Sequence, residues 1–337
     1  MSRRHVRDAV PILLLAVMLV TMFAWPAAIG VSVDSLSVFN VLRSFSDYGL
    51  VVLAVGLTVL IGELDLSAAS MFALGGVLAI KFGGDAPVVG MLVAMGFGAV
   101  AGAVQGGIIA LLRISSLPVT LGGYLIFYGA AQEISNESLL QYSNSGFSFS
   151  FDERFASVFS PRIVAVVCVF LLVGLVFHLT RVGRHIRSVG SDVVASEAAG
   201  VPIRWVVCGV FAASGALAGL GGAWAALAVA SANPNAGFAP LIVAVISIVV
   251  GGVALTGGRG TVVGIAAGTL ALAALNQTLA SVGAPEYASS LVTGGLLLAT
   301  AVVGAPYLVR RVAAARRRRS IATPVPGQPQ ADPHGSA

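Results

Sequence analysis

The sequence has very little charge for its length. Aspartate, glutamate, lysine and arginine make up 10% of the 337 residues, whereas hydrophobic residues make up 57%. A soluble domain carries about 25% charged residues, so this chain lacks the polar surface that would cover a globule in water. Its apolar residues instead form blocks long enough to cross a bilayer as helices, which takes about 20 residues each. The shortage of charge excludes a soluble globular protein and predicts a membrane protein.

The residues that build enzyme sites are also scarce. The only lysine, Lys81, is followed by Phe82, whereas a phosphate-binding P-loop needs a lysine directly after its glycines. The sequence contains no HExxH or GxSxG motif, and its four histidines are scattered without the spacing of a metal site. Cys168 and Cys208 each lie in an apolar block, which favours buried free thiols over a disulfide. We therefore predict a protein that is not an enzyme and has no cofactor or metal of its own.

Ten apolar segments predict an all-α polytopic membrane protein with about ten transmembrane helices. Lipid offers no hydrogen-bond partners, so the backbone groups of each segment must bond to one another within a helix. The first segment follows three arginines and ends near Trp25, so it resembles a signal peptide, but its length favours a retained span. We expect a cytoplasmic N-terminus at 1–9, a transmembrane domain at 10–308 and a basic, disordered tail at 309–337. The ten segments are 10–31, 49–61, 66–82, 87–112, 118–134, 162–180, 205–230, 241–256, 262–282 and 289–308.

The basic residues assign an orientation to these spans. Placing the N-terminus in the cytoplasm puts 15 of the 19 basic residues inside, as the positive-inside rule requires. Arg43, Lys81, Arg154 and Arg162 then lie outside. The net charge of +5 therefore indicates that the partner of the basic residues is the lipid bilayer, and it does not indicate nucleic-acid binding. We expect a multi-pass protein of the cell membrane with both termini in the cytoplasm.

Glycines at helical spacing predict helices that pack closely, because small residues let membrane helices approach each other. A short internal echo also relates Gly62–Ser67 to Gly251–Thr256, each closing a segment that runs inward. Two such breaks in matching places point toward a substrate pathway. The spaced glycines are Gly98, Gly102 and Gly106, Gly215 and Gly219, and Gly264 and Gly268.

Polar residues within apolar spans are candidates for function because burying them in a membrane is costly. Glu63 and Asp65 interrupt a long apolar region. Asp65 could cap the following helix, contact substrate or carry protons. Neutral groups in other spans suit a polyhydroxylated solute or bond one helix to the next. Asn276 is the first choice among them; the substrate-pathway candidates are Asp65, Gln105, Tyr124, Ser214 and Asn276.

The basic loop at 181–204 predicts a short helix on the cytoplasmic side. Ser191 or Asp192 can cap it, Gly200 can end it and Pro202 stops its continuation. Such a helix is suited to a groove on a partner protein, or it lies at the membrane surface as an interfacial helix. The residues of this loop that we expect to contact the partner protein are Ser191, Asp192, Glu197, Ala198, Ala199 and Gly200.

Four ordered motifs resemble the membrane subunits of ribose- and other monosaccharide-type ABC importers. Gly62-Glu-Leu-Asp-Leu-Ser67 resembles their Gly-Gly-Ile-Asp-Leu-Ser signature, and Leu117–Gly122 resembles Phe-Ile-Val-Thr-Leu-Gly. Residues 183–200 match the loop that carries the coupling helix, and Val250–Thr261 resembles the turn Ile-Gly-Gly-Thr-Ser-Leu-Ser-Gly-Gly-Arg-Gly-Ser. The signature turns are Gly62, Glu63, Asp65 and Ser67, and Gly257, Gly258, Arg259 and Gly260.

The resemblance implies a permease with short or broken helices and several partners. These partners are a cytoplasmic ABC ATPase, which binds ATP and Mg²⁺, an extracytoplasmic sugar-binding protein and a second permease copy, in a homodimer or a related heterodimer. Glu63 departs from the family's usual glycine. Two alternatives stay open: a related permease for a branched-chain amino acid or nucleoside, and a secondary transporter that couples to protons through Asp65 or Glu63.

Overall fold

A computed structural model describes residues 16, 20, 34–235, 237–285 and 287–299. The predicted first span, the end of the tenth segment beyond residue 299 and the basic tail therefore lie outside the described residues, apart from positions 16 and 20. The chain divides into a unit of residues 1–293 and a unit of residues 294–337, and the following description concerns the first unit. Its described helices are α1 (Ser35–Leu60), α2 (Ala68–Gly83), α3 (Pro87–Leu112), α4 (Ser116–Ser135), α5 (Ser145–Asp152), α6 (Pro161–Leu179), α7 (Arg181–Ser191), α8 (Val193–Ala198), α9 (Ile203–Ala228), α10 (Ala239–Val250) and α11 (Val262–Ser281). A further apolar helix, α12 (Tyr287–Ala299), follows in the sequence.

Five of these helices, α1, α3, α6, α9 and α11, are long and apolar enough to cross a membrane. Helices α2, α10 and α12 are apolar but shorter. Five long spans are thus present among the described residues, and the number of about ten transmembrane helices stays a prediction. Exposed leucines and valines on α3 and α6 give these helices apolar outer faces suited to lipid, for example Leu92, Val100, Leu111, Leu171 and Leu172.

Most helix bounds lie within two residues of the predicted segments, but α1 begins 14 residues earlier than the predicted start at residue 49. The side chain of Asp34 accepts a hydrogen bond of 3.0 Å from the Ser37 backbone N–H and so caps the helix. This hydrogen bond also lowers the pKa of the Asp34 carboxyl. The capped first half is polar and includes Arg43 and Asp47, which is why hydropathy alone misses it.

Helix α9 occupies the centre of the bundle and packs against α1, α2 and α3. Its contact with α3 is made largely through backbone. A Cβ atom added to Gly98 would lie 2.1 Å from the carbonyl oxygen of Gly215, and one added to Gly102 would lie 2.1 Å from that of Phe211. The predicted close packing of the α3 and α9 glycines is therefore confirmed.

Helices α10 and α11 pack through the same kind of close backbone contact. A Cβ atom on Gly268 would lie 2.0 Å from the Ser247 carbonyl oxygen, and one on Gly264 would lie 2.4 Å from that of Gly251. Membrane helices gain no hydrophobic stabilisation from association within lipid, so such close van der Waals contact contributes much of their packing energy.

The described loops form contacts at two ends of the bundle. At one end, β1 (Leu140–Gln141) pairs antiparallel with β2 (Ser231–Ala232). At the other, the Gly258 N–H donates a hydrogen bond of 2.9 Å to the Leu60 carbonyl oxygen. The second end contains the loops predicted to be cytoplasmic, and we call it the inner end.

We predict that Gly102→Leu destabilises the bundle, because its side chain would enter the backbone of α9. Overpacking of this kind costs about 1–3 kcal/mol or more. Gly107 is a matched control on the same helix, since a Cβ atom there would meet nothing within 4 Å. Thermal unfolding of the detergent-solubilised protein should show a lower midpoint for Gly102→Leu than for Gly107→Leu. Equal midpoints would contradict the backbone contact described above.

Candidate functional site

Asp65 lies fully buried in the turn between α1 and α2, where it accepts three hydrogen bonds. One carboxylate oxygen accepts from the Ser67 backbone N–H at 3.0 Å and from the Ser67 hydroxyl at 2.6 Å. The other accepts from the Ser214 hydroxyl on α9 at 2.7 Å. The Gln105 amide on α3 donates to the Ser67 hydroxyl at 3.1 Å. We call Asp65, Ser67, Gln105 and Ser214 the Asp65 network.

The network unites three of the five pathway candidates, Asp65, Gln105 and Ser214. It also shows how Asp65 stabilises its turn: the carboxylate binds the N–H of Ser67, the residue directly before α2, while the Ser67 side chain makes no capping bond itself. Asp65 therefore does not occupy the N-cap position of α2, which is held by Ser67, but binds the backbone N–H of that residue. Direct contact of Asp65 with substrate stays a prediction.

The other two candidates lie elsewhere. Tyr124 on α4 follows Gly123, and a Cβ atom on Gly123 would lie 2.6 Å from the Gln105 side-chain oxygen, so Tyr124 adjoins the network without a hydrogen bond to it. Asn276 lies on α11, and within the described residues its buried side-chain oxygen has no hydrogen-bond partner. Sequence reasoning placed Asn276 first because amides pair with hydroxyls, but no contact in the described structure joins it to the others.

The two signature turns meet at the inner end, where a Cβ atom on Gly257 would lie 2.6 Å from the Cα of Gly62. Gly62 and Gly252 both have positive φ, 84° and 75°. The Gly62 N–H donates to the Val59 carbonyl oxygen, and the N–H of the next residue donates to the Thr58 carbonyl oxygen. The Gly252 N–H donates to the Val249 carbonyl oxygen, and the N–H of the next residue donates to the Ile248 carbonyl oxygen. This is the Schellman motif. Gly200 closes α8 in the same way, so the internal echo reflects a common way of ending a helix in this chain.

Helix α7 is held against these turns by close backbone contact. A Cβ atom on Gly190 would lie 1.9 Å from the Leu60 carbonyl oxygen and 2.5 Å from the Gly258 nitrogen. The Ser191 hydroxyl donates to the Arg187 carbonyl oxygen at 2.7 Å. We call Leu60, Gly190 and Gly258, with the turns that carry them, the inner junction; it joins the 181–204 loop to the end of α1.

The predicted short helix is present as α8. Asp192 rather than Ser191 caps it, accepting a hydrogen bond of 3.0 Å from the Ala195 N–H. Ser196 is buried and lies 2.7 Å, oxygen to oxygen, from Ser188, which fixes α8 to α7. Val194 is 78% exposed, and the remaining positions, Glu197, Ala198, Ala199 and Gly200 among them, are also exposed.

A cavity of about 510 Å³ opens beside α8. An ion pair joins Arg113, at the α3–α4 turn, to Glu197 on α8 at 2.9 Å. Both side chains are more than half exposed, and exposed pairs contribute at most about 1 kcal/mol. The cavity lining is mainly apolar, with Glu63, Arg113, Glu197 and Arg204 as its charged members.

A buried ion cluster at the opposite end was missed by sequence reasoning. Arg162 at the start of α6 is fully buried, pairs with Asp47 of α1, and donates to Asp152 of α5 at 3.0 Å. Arg43 contacts the other oxygen of Asp152 at 2.8 Å. The sequence analysis placed Arg43 and Arg162 on the outer side but did not pair them with Asp47 and Asp152. The length of α1 was the missing signal, because it brings Arg43 and Asp47 into the bundle.

No group of three or more potential metal ligands occurs within the part of the chain that the structure describes. The polar groups described above can bind neutral solutes or stabilise turns, and the exposed α8 can bind a protein partner.

Comparison with known proteins identifies the chain's relatives. Residues 37–301 match the family described as branched-chain amino acid transport system / permease component. The ribose import permease protein of Escherichia coli (strain K12) is 30% identical over 276 residues, which is 79% of this chain and 85% of the relative. The fructose import permease protein of Rhizobium meliloti is 30% identical over 291 residues, covering 81% and 78%.

The galactose/methyl galactoside import permease protein of Salmonella typhimurium (strain LT2) is 31% identical over 215 residues, covering 62% of this chain and 64% of the relative. No solved structure matches the chain. The family match covers the helices that carry the Asp65 network, the inner junction and α8. The chain therefore belongs to the branched-chain amino acid transport system permease family, as a multi-pass permease component of the ribose/monosaccharide-type ABC importers.

Proposed function

We propose that this permease imports a small sugar, a pentose or a hexose, by alternating access that separate ATPase subunits power. The observation that carries the proposal is α8, an exposed and capped helix that the inner junction fixes to the end of α1. The relatives named for ribose, fructose and galactose import support a sugar as the solute.

Motion of α8 has a direct route into the bundle. Ser196 attaches α8 to α7, and Gly190 attaches α7 to Leu60, five residues before Asp65. Asp65 in turn bonds to α9 through Ser214. An ATPase that moves α8 therefore acts on the turn and the helix that carry the Asp65 network. Binding of ATP to the partner would shift the populations of inward and outward states, since it stabilises one of them.

The proposed assembly contains a cytoplasmic ATPase at α8, a sugar-binding protein at the opposite end and a second permease copy, identical or related. Both termini lie in the cytoplasm in this assembly. The solute passes between the two copies, and Asp65, Gln105, Tyr124, Ser214 and Asn276 remain the proposed pathway residues.

A neutral solute fits the polar interior better than a branched-chain amino acid. An amino acid carries an ammonium and a carboxylate, each of which needs a counter-charge when it is desolvated. The Asp65 network offers one carboxylate, which Ser67 and Ser214 already satisfy, and neutral hydroxyl and amide groups otherwise.

The proposal is tested by reconstituting the permease in liposomes with its co-purified ATPase and binding protein. We expect ATP-dependent accumulation of ribose, fructose or galactose. Accumulation of solute by the permease alone, driven by a pH gradient, would contradict the proposal and favour a proton-coupled transporter.

We predict that Val194→Arg reduces ATP-driven uptake at least tenfold and lowers co-purification of the ATPase. The residue is exposed, so a long cation there disturbs a partner's groove while leaving the fold intact. Val194→Thr keeps the branched shape without adding charge and serves as the matched control, with uptake near wild type. Undiminished uptake by Val194→Arg would refute α8 as the coupling helix.

Substitutions of Asp65 separate structure from proton coupling. Asparagine can still accept from Ser67 and donate to Ser214, so we expect Asp65→Asn to keep ATP-driven uptake within several-fold of wild type. Asp65→Ala leaves buried donors without an acceptor, at about 1–3 kcal/mol for each, and should lower the unfolding midpoint clearly. Abolished uptake by a stable Asp65→Asn protein would instead support a role for its ionisation.

A further inference from the structure

Helix α10 is too short to cross a membrane. Its 12 residues rise about 18 Å, at 1.5 Å per residue, against a hydrocarbon core of about 30 Å. Its last residue, Val250, leads directly into the inner junction. Its first residues therefore lie at most about 18 Å from the inner end along the helix, which is less than the thickness of the hydrocarbon core.

The segment between α9 and α10 must consequently descend into the membrane without helical hydrogen bonds. Residues 233–235 and 237–238 are not helical. Irregular backbone at this depth is tolerated only where protein covers it or where it lines a water-filled passage, and an interrupted short helix is the common mark of a transport site.

Side chains of this segment meet one face of α4. The Tyr128 hydroxyl donates to the Asn235 side-chain oxygen at 3.0 Å, and the Gln132 amide donates to the same oxygen. A hydrogen bond of 2.9 Å from the Asn235 N–H to the Asn233 side chain fixes the loop locally. The described bonds of the Asn235 side chain use its oxygen, so its amide nitrogen can bond to a ligand. The side-chain oxygen of Gln132 is buried and has no partner among the described residues.

Aromatic rings lie beside these amides. The rings of Tyr124 and Phe238 stack at 4.3 Å between centroids with planes 6° apart, and those of Tyr124 and Tyr128 lie 6.2 Å apart at 5°. Phe238 is 43% exposed, so part of its ring is free. Sugars are bound by such pairs of features, because their C–H faces pack on aromatic rings while their hydroxyls bond to amides.

We propose that Tyr124, Tyr128, Gln132, Asn235 and Phe238 form a sugar-contacting site where the α9–α10 connection meets α4. These five residues are uncharged and suit a neutral polyol. The site continues inward to the Asp65 network, because Gly123 adjoins Gln105. This inference rests on the proposed function and assigns its solute a location.

The test uses the complete importer, permease with ATPase and binding protein, in liposomes supplied with labelled ribose, fructose or galactose. Asn235→Leu and Phe238→Leu should each lower uptake at least tenfold. Phe97→Leu is the matched control, since Phe97 is 43% exposed like Phe238 but lies on α3 outside the proposed site, and it should transport as wild type does. Uptake within twofold of wild type by both site variants would overturn the inference.

Two further results separate the possible failures. Absence of uptake of all three sugars by the wild-type importer would contradict the proposed function itself, whereas wild-type uptake with unaffected variants would contradict only this site. If the leucine variants fail to assemble, Tyr128→Phe decides, because it removes one oxygen and its hydrogen bond to Asn235. A several-fold reduction in uptake supports the site, and uptake equal to wild type overturns it.

Discussion

The close crossing of α3 and α9 is the contact on which the rest of the bundle depends. Backbone meets backbone at Gly98 and Gly215, with no room for a side chain between them. Lipid removes the hydrophobic drive for helix association, so stability must come from contact at short range and from satisfied hydrogen bonds. Because α9 also packs on α1 and α2, this crossing sets the place of the Asp65 network, whose members come from the α1–α2 turn, α3 and α9.

The inner end obeys a second constraint, since helix ends near lipid must satisfy their own carbonyl groups. Glycines with positive φ at positions 62, 200 and 252 do so by closing three helices with the same hydrogen-bond pattern. The compact turns leave space for Gly190 to approach Leu60. The 181–204 loop is thereby connected to the end of α1 through backbone contacts.

Most of the helical architecture could be predicted from the sequence, because apolar blocks and glycine spacing report directly on lipid and on close packing. The bounds of α3 are an example. The cap of α8 could be narrowed only to Ser191 or Asp192, and the structure shows Asp192. The early start of α1 could not be read from hydropathy, since its first half is polar. The partners of Tyr128 and Gln132 were equally hidden, because Asn235 is more than 100 residues away in sequence and only the folded α9–α10 connection brings it to α4. Asn276 shows the converse: a suitable side chain in a span does not by itself identify its neighbours.

The buried cluster around Arg162 has a consequence for how the protein is made. A guanidinium group is costly to place in an apolar environment without counter-charges. Both of its carboxylates, on Asp47 and Asp152, precede it in the chain. During synthesis from the N-terminus, Asp47 and Asp152 are therefore translated before Arg162. Helix α6 can then enter the membrane next to carboxylates that are already present.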